Sequence, residues 1–180
     1  MTTGTMTTRT LTTRTLHPCG LLLVAAVLAT TGCGVAESSA LSRDVSTPLA
    51  EAIDVDALAR AHTRYLGDNS ADASILDALH LEVVGARTFE LVTDKQPHEL
   101  KINFNTSAQG LTDTTAHSAL RKRAVLAMAC IDNVEKVSWK VPHLQQPTGS
   151  ITRAEAQKLA GGTLACGTQE LKSLVTTLDA

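Results

Sequence analysis

Two short polar runs carry the side chains best suited to hold a ligand: Asp68, Asn69 and Ser70 in one, Asp132 and Asn133 in the other. Carboxylates, amides and a hydroxyl at successive positions offer oxygens to a hard cation or polar contacts to an organic molecule. Calcium takes about six to eight oxygens, so neither run alone completes a calcium site. Set side by side by the fold, the two runs make one polar binding patch. Helix caps and turns are the competing use of the same residue types. A hydrolytic alternative draws Asp68, Asp132 and His98 into one site. Against it, there is no G-x-S-x-G elbow, no cysteine with an adjacent base and no glycine-rich loop after a strand. His62, His80, His98, His117 and His143 lie beyond Cys33, and none has a second histidine or a cysteine three or four residues away. Neither a metal nor another cofactor is expected.

The four cysteines divide by position. Cys33 follows the small residues Thr30, Thr31 and Gly32, which close the apolar run from Gly20 to Ala29. Arg9, Arg14 and His17 precede that run, with no acid among them. Basic, then apolar, then small is the order of a secretory signal. The apolar run is about half of the roughly 20 residues that a spanning helix needs. Around Cys33 the segment resembles a lipobox, in which the thiol receives diacylglycerol and cleavage frees the amino group. Thr30 stands where an aliphatic residue is usual. Residues 1–32 are read as a signal peptide, 33–48 as the lipidated cysteine and a flexible tether, and 49–180 as one domain. A lipid rather than a protein helix then holds the chain on the extracytoplasmic face of the cell membrane. A retained transmembrane helix and an ordinary signal that releases a soluble protein are the alternatives. Cys19 leaves with the signal. Cys130 and Cys166 remain in an oxidising compartment and are expected to form a disulfide, two buried free thiols being the other outcome.

Sixteen Lys and Arg stand against 18 Asp and Glu, and cleavage removes Arg9 and Arg14, so the mature part is the more acidic. Nucleic acid is excluded as a partner, because phosphate binding needs concentrated positive charge. Arg121, Lys122 and Arg123 are adjacent, so they point around a helix rather than along one face, and they read as a solvated turn.

The elements that must position these residues follow from periodicity. Val55, Leu58, Ala61, His62 and Tyr65 recur at helical spacing up to about Leu66, with His62 a partly buried, satisfied side chain. Gly67 to Ser70 break the chain, and Ala71 to Leu79 form a second helix with Ile75, Leu76 and Leu79 inward. Thr88–Val92 and Glu99–Asn105 read as a hairpin, since Leu100, Ile102 and Phe104 alternate with polar neighbours. An apolar helix from about Thr115 to Ile131 must lie across the sheet at the centre of the core. Val137, Trp139 and Val141 alternate as a third strand. Thr152 and Glu155 have capping-box spacing for a helix that Gly161 ends, and a last helix runs from about Thr168 to Leu178. The expected fold is α+β, a small, mostly antiparallel sheet of about three strands with helices on one face.

The segments YLGDNS, FELVT, HELKINF and IDNVEKVSW, in that order, resemble the bacterial domain of unknown function 4825 family over about Tyr65 to Leu178. The resemblance implies an exported or membrane-anchored protein and brings no catalytic residues or established activity. His98, where that pattern often has Tyr, and the Cys130 and Cys166 pair depart from it. Together these readings predict a non-enzymatic extracytoplasmic domain that binds a peptide, an envelope component or a protein partner. A sensor that reports to an integral-membrane protein is the first alternative, and an envelope hydrolase the second.

Overall fold

The computed structural model describes residues 53–180. The expected signal peptide, lipidated Cys33 and tether lie outside the described residues. Asp54 accepts a hydrogen bond from the Ala57 N–H and starts α1 (Val55–Arg60). Helix α1 stops well short of Leu66 because the chain after it is drawn into a bridge: Thr63 pairs in parallel with Ile131. Tyr65, expected inward, is consequently 68 % exposed. Asp68 accepts from the Ala71 N–H at 3.2 Å and caps α2 (Asn69–Ala78), whose Ile75 and Leu76 are fully buried. A single 3-10 turn, Leu81–Val83, leads into the sheet.

Strands β1 (Arg87–Val92) and β2 (Glu99–Phe104) form the expected antiparallel hairpin. Helix α3 (Asp113–Cys130) opens with a capping box between Thr112 and Thr115. It crosses back over the sheet to β3 (Lys136–Lys140), which pairs with β2 in parallel. A helical crossover carries the chain back to the end of the sheet at which β2 began, so a parallel pair stands beside the antiparallel hairpin and the sheet is mixed rather than mostly antiparallel. It also has a fourth strand, β4 (Thr148–Thr152), antiparallel to β3, in the order β1-β2-β3-β4. Only Ile151 of β4 is buried, so this strand lacks the apolar alternation by which the others announce themselves. Gly149 faces Trp139 across the pair, and a Cβ there would lie 2.5 Å from the indole. Helices α4 (Arg153–Ala160) and α5 (Thr168–Asp179) complete the chain.

One face of the sheet, with Leu100, Ile102, Val137, Trp139 and Ile151, joins α3 in the core. Arg123 overturns the reading of its basic run as wholly solvated. It is only 2 % exposed, and its Nε donates to the Leu79 carbonyl at 2.8 Å. Helix α3 is apolar over most of its surface, so a residue three positions after Leu120 has no solvent to reach and needs a carbonyl partner instead. At the C-terminal end of α3, Cys130 and Cys166 form the expected disulfide, with Cα atoms 4.9 Å apart.

Candidate functional site

The two polar runs come together, and the backbone does it. Thr63 N–H donates to Cys130 O at 2.9 Å, and Asp132 N–H donates to Thr63 O at 3.0 Å, which lays the α1–α2 connection along the turn after α3. Leu66 N–H then donates to Asn133 Oδ1 at 2.6 Å, so Asn133 acts as a clamp between the two turns. His62 Nε2 donates to Asp132 Oδ1 at 2.9 Å on the exposed side. Against its expected place on an apolar helix face, His62 lies beyond the end of α1 and is exposed. It does have the polar partner expected of it.

An open concavity of about 530 Å³ lies along this junction, lined by Arg60, His62, Asp68, Ser70 and Ser74 with small alanines between them. Asp68 and Ser70 thus reach the same wall as His62, which carries Asp132 with it. Asn69 is exposed at the first position of α2 but does not line the concavity. Asn133 is engaged elsewhere, its Nδ2 lying 3.3 Å from His98 Nδ1. His98 in turn donates its backbone N–H to Glu135. Among the possible hydrolytic residues, Asp132 therefore pairs with His62 and not with His98, which is outside the concavity. No described group of three or more His, Cys, Asp or Glu side chains is placed to hold a metal ion. No described helix is long and apolar enough to cross a membrane.

Two titratable side chains, the buried Asp72 and the half-buried Arg153, hold the site in place, and neither has a periodic signal in the sequence. Asp72 is fully buried in the first turn of α2, and its Oδ2 accepts from Gly67 N–H at 2.8 Å. Burial pushes its carboxyl up, and the Asp68 charge adds to that against the lowering effect of the Gly67 bond. Arg153 closes the other side. Its Nε donates to Val134 O, and its Nη2 to Met128 O and Ile131 O at 2.7–3.0 Å, so one guanidinium satisfies the end of α3 and the Asp132 turn.

A second concavity, of about 510 Å³, lies on the polar face of the sheet over Glu99, Lys101, Asn103, Lys136, Ser138 and Lys140. Its charges are largely internal: Lys101 pairs with Glu90 at 3.0 Å and Lys136 with Glu99 at 3.1 Å. Burial tends to raise the Glu99 carboxyl, but the hydrogen bonds from Ser138 and Lys136 outweigh it and hold the group below its usual range. Paired charges of this kind stabilise a solvated sheet face and leave little field for a ligand.

No curated protein matches the chain, and no solved structure matches it. The sequence model of one family, described as Domain of unknown function (DUF4825), matches residues 58–153, which include both polar runs, the hairpin and α3. That match covers more than half of the chain, and the chain belongs to this family.

Proposed function

We propose that the chain is an exported lipoprotein, anchored through Cys33, whose α+β domain is a non-enzymatic binding module on the extracytoplasmic face of the membrane. The observation that carries the binding part is that Asp68 and Ser70 of one polar run line an open concavity with His62, which bonds Asp132 of the other run beside it. Arg60 and His62 supply donors there, and Asp68 and Ser70 supply acceptors, so a polar ligand with both kinds of group suits it. A peptide, an envelope component or a polar protein surface has that chemistry. Solvent-exposed hydrogen-bonding groups favour reversible recognition over catalysis, which needs a reacting group held away from water.

Anchoring is tested by metabolic labelling with palmitate: label is lost in Cys33→Ala, and label retained there defeats it. Binding is tested by passing solubilised cell-envelope fractions over the immobilised chain. The His62→Ala/Asp132→Ala double variant, which leaves the Asp68 helix cap intact, is expected to lose a component that the unmodified chain retains. No retention by either chain, or equal retention by both, would remove the concavity from consideration.

A further inference from the structure

Strand β4 is at the edge of the sheet, and part of its backbone points away from it. Two bonds fix the phase of the β3/β4 ladder: Val141 N–H donates to Pro147 O at 2.7 Å, and Arg153 N–H to Glu135 O at 2.8 Å. With that phase, Gly149 and Ile151 bond to β3, whereas Thr148 and Ser150 turn both N–H and C=O outward. Thr152 N–H is already taken by the Glu155 carboxylate at 2.8 Å, so the free edge is short and centred on Ser150.

Beside this edge, on the helical side of the sheet, lies a groove of about 400 Å³. Arg121 of α3, Ser150 and Ile151 of β4, and Glu155, Lys158 and Leu159 of α4 line it. Leu159 is 40 % exposed, one of two large apolar side chains so exposed among the described residues. Arg121 and Lys158 form no ion pair with another described residue. The groove's acid, Glu155, is bound through Oε2 to both the N–H and the hydroxyl of Thr152. Two cations outside any ion pair, with Arg121 near enough to Glu155 to act on its carboxyl, an apolar wall and an unpaired strand edge therefore stand together.

We propose that this edge takes a short extended peptide of a partner protein by strand addition, with an acidic side chain of that peptide received by Arg121 and Lys158. In an added strand, the residue opposite Ser150 shares Ser150's polar face, and its two neighbours point to the helical side. One neighbour meets the cations as a carboxylate, and the other covers Leu159 as an apolar side chain. The charge complementarity selects an acidic peptide over a basic one. This surface is distinct from the concavity at His62 and Asp68, and the proposal does not depend on that site.

The test uses the full chain in detergent and two amidated pentapeptides, Thr-Leu-Thr-Glu-Thr and Thr-Glu-Thr-Leu-Thr, which cover both strand directions. Each is compared with its Glu-to-Lys counterpart by amide chemical shifts and by affinity. At least one acidic peptide is expected to shift the Thr148 and Ser150 amides and to bind about tenfold more tightly than its lysine counterpart. In the Arg121→Glu/Lys158→Glu variant that preference reverses, and the gain of lysine-peptide binding shows that the variant is folded. Absence of shifts at Ser150 at millimolar peptide, or a preference unmoved by the charge reversal, overturns the proposal. Concentration-dependent shifts at Ser150 without peptide, accompanied by a dimer in sedimentation, assign the edge to a second copy of the chain and overturn it as well.

Discussion

Asp72 connects the acid-base behaviour of one side chain to the shape of the Asp68 turn. Its Oδ2 holds the Gly67 N–H, at a residue whose φ of +118° suits glycine, while its Oδ1 is buried with no partner among the described residues. An ionised carboxylate is penalised there, so the folded state favours the protonated form. For a carboxyl raised by folding, the contribution to stability is fully present below the unfolded pKa and is lost as pH rises through the folded value. Asp72→Asn keeps an acceptor for Gly67 but cannot ionise. The stability advantage of the unmodified chain over Asp72→Asn is therefore expected to shrink as pH rises from the acidic range towards neutrality, measured by urea unfolding at several pH values. A difference that stays constant with pH, or grows, would show that the buried carboxyl is ionised without penalty.

At the scale of elements, the end of α3 and the turn that presents Asp132 rest on Arg153, the first residue of α4. A charged donor shared among three carbonyls contributes about 2 kcal/mol or more, since its loss leaves the carbonyls to find water in a crowded place. Arg153→Ala is expected to cost about 2 kcal/mol in urea unfolding. Arg153→Lys recovers only part of that, because an ammonium cannot span the fork. A loss below about 0.5 kcal/mol, typical of a surface site, would refute the bridging role. The same residue shows why only some of the architecture was legible from the chain. The α4 capping box, the hairpin and the central place of α3 were readable because each has a local signature: Thr152 with Glu155, the alternation of β2, the apolar breadth of α3. Strand β4 had none, since an edge strand facing Trp139 needs a glycine more than a second apolar residue. The fold brings the two turns that hold the five named residues together, but the division of those residues between wall and clamp was not readable. Whether Asn133 faces a ligand or clamps Leu66 depends on a bridge between Thr63 and Ile131, far apart in sequence. Arg123 read as surface because pattern assigns charge to solvent, and only the fold supplies the carbonyl and amide partners of Asp72, Arg123 and Arg153.

For the whole molecule, the disulfide links the proposed export to stability. Cys130 at the end of α3 and Cys166 just before α5 are separated by 36 positions, and the closed loop contains β3, β4 and α4. Helix α5 otherwise holds to the domain through Leu171 and Leu174, and through the Lys122–Asp179 pair at 2.6 Å. Cross-linking a loop of this length removes unfolded-state entropy equivalent to about 3–4 kcal/mol, from which any native strain subtracts. Bonds of this kind persist outside the cytoplasm. A chain exported through the proposed signal is therefore expected to be oxidised, and the same chain lacking residues 1–32 and kept in a reducing cytoplasm to carry free thiols. Mass after alkylation separates the two, and their urea midpoints are expected to differ by the equivalent of about 3 kcal/mol. The Cys130→Ala/Cys166→Ala variant, insensitive to compartment, is expected to fall near the reduced chain. If both preparations carry free thiols, export through this signal loses its support. Equal midpoints for oxidised and reduced chains would instead mean that Leu171 and Leu174 hold α5 without help from the bond.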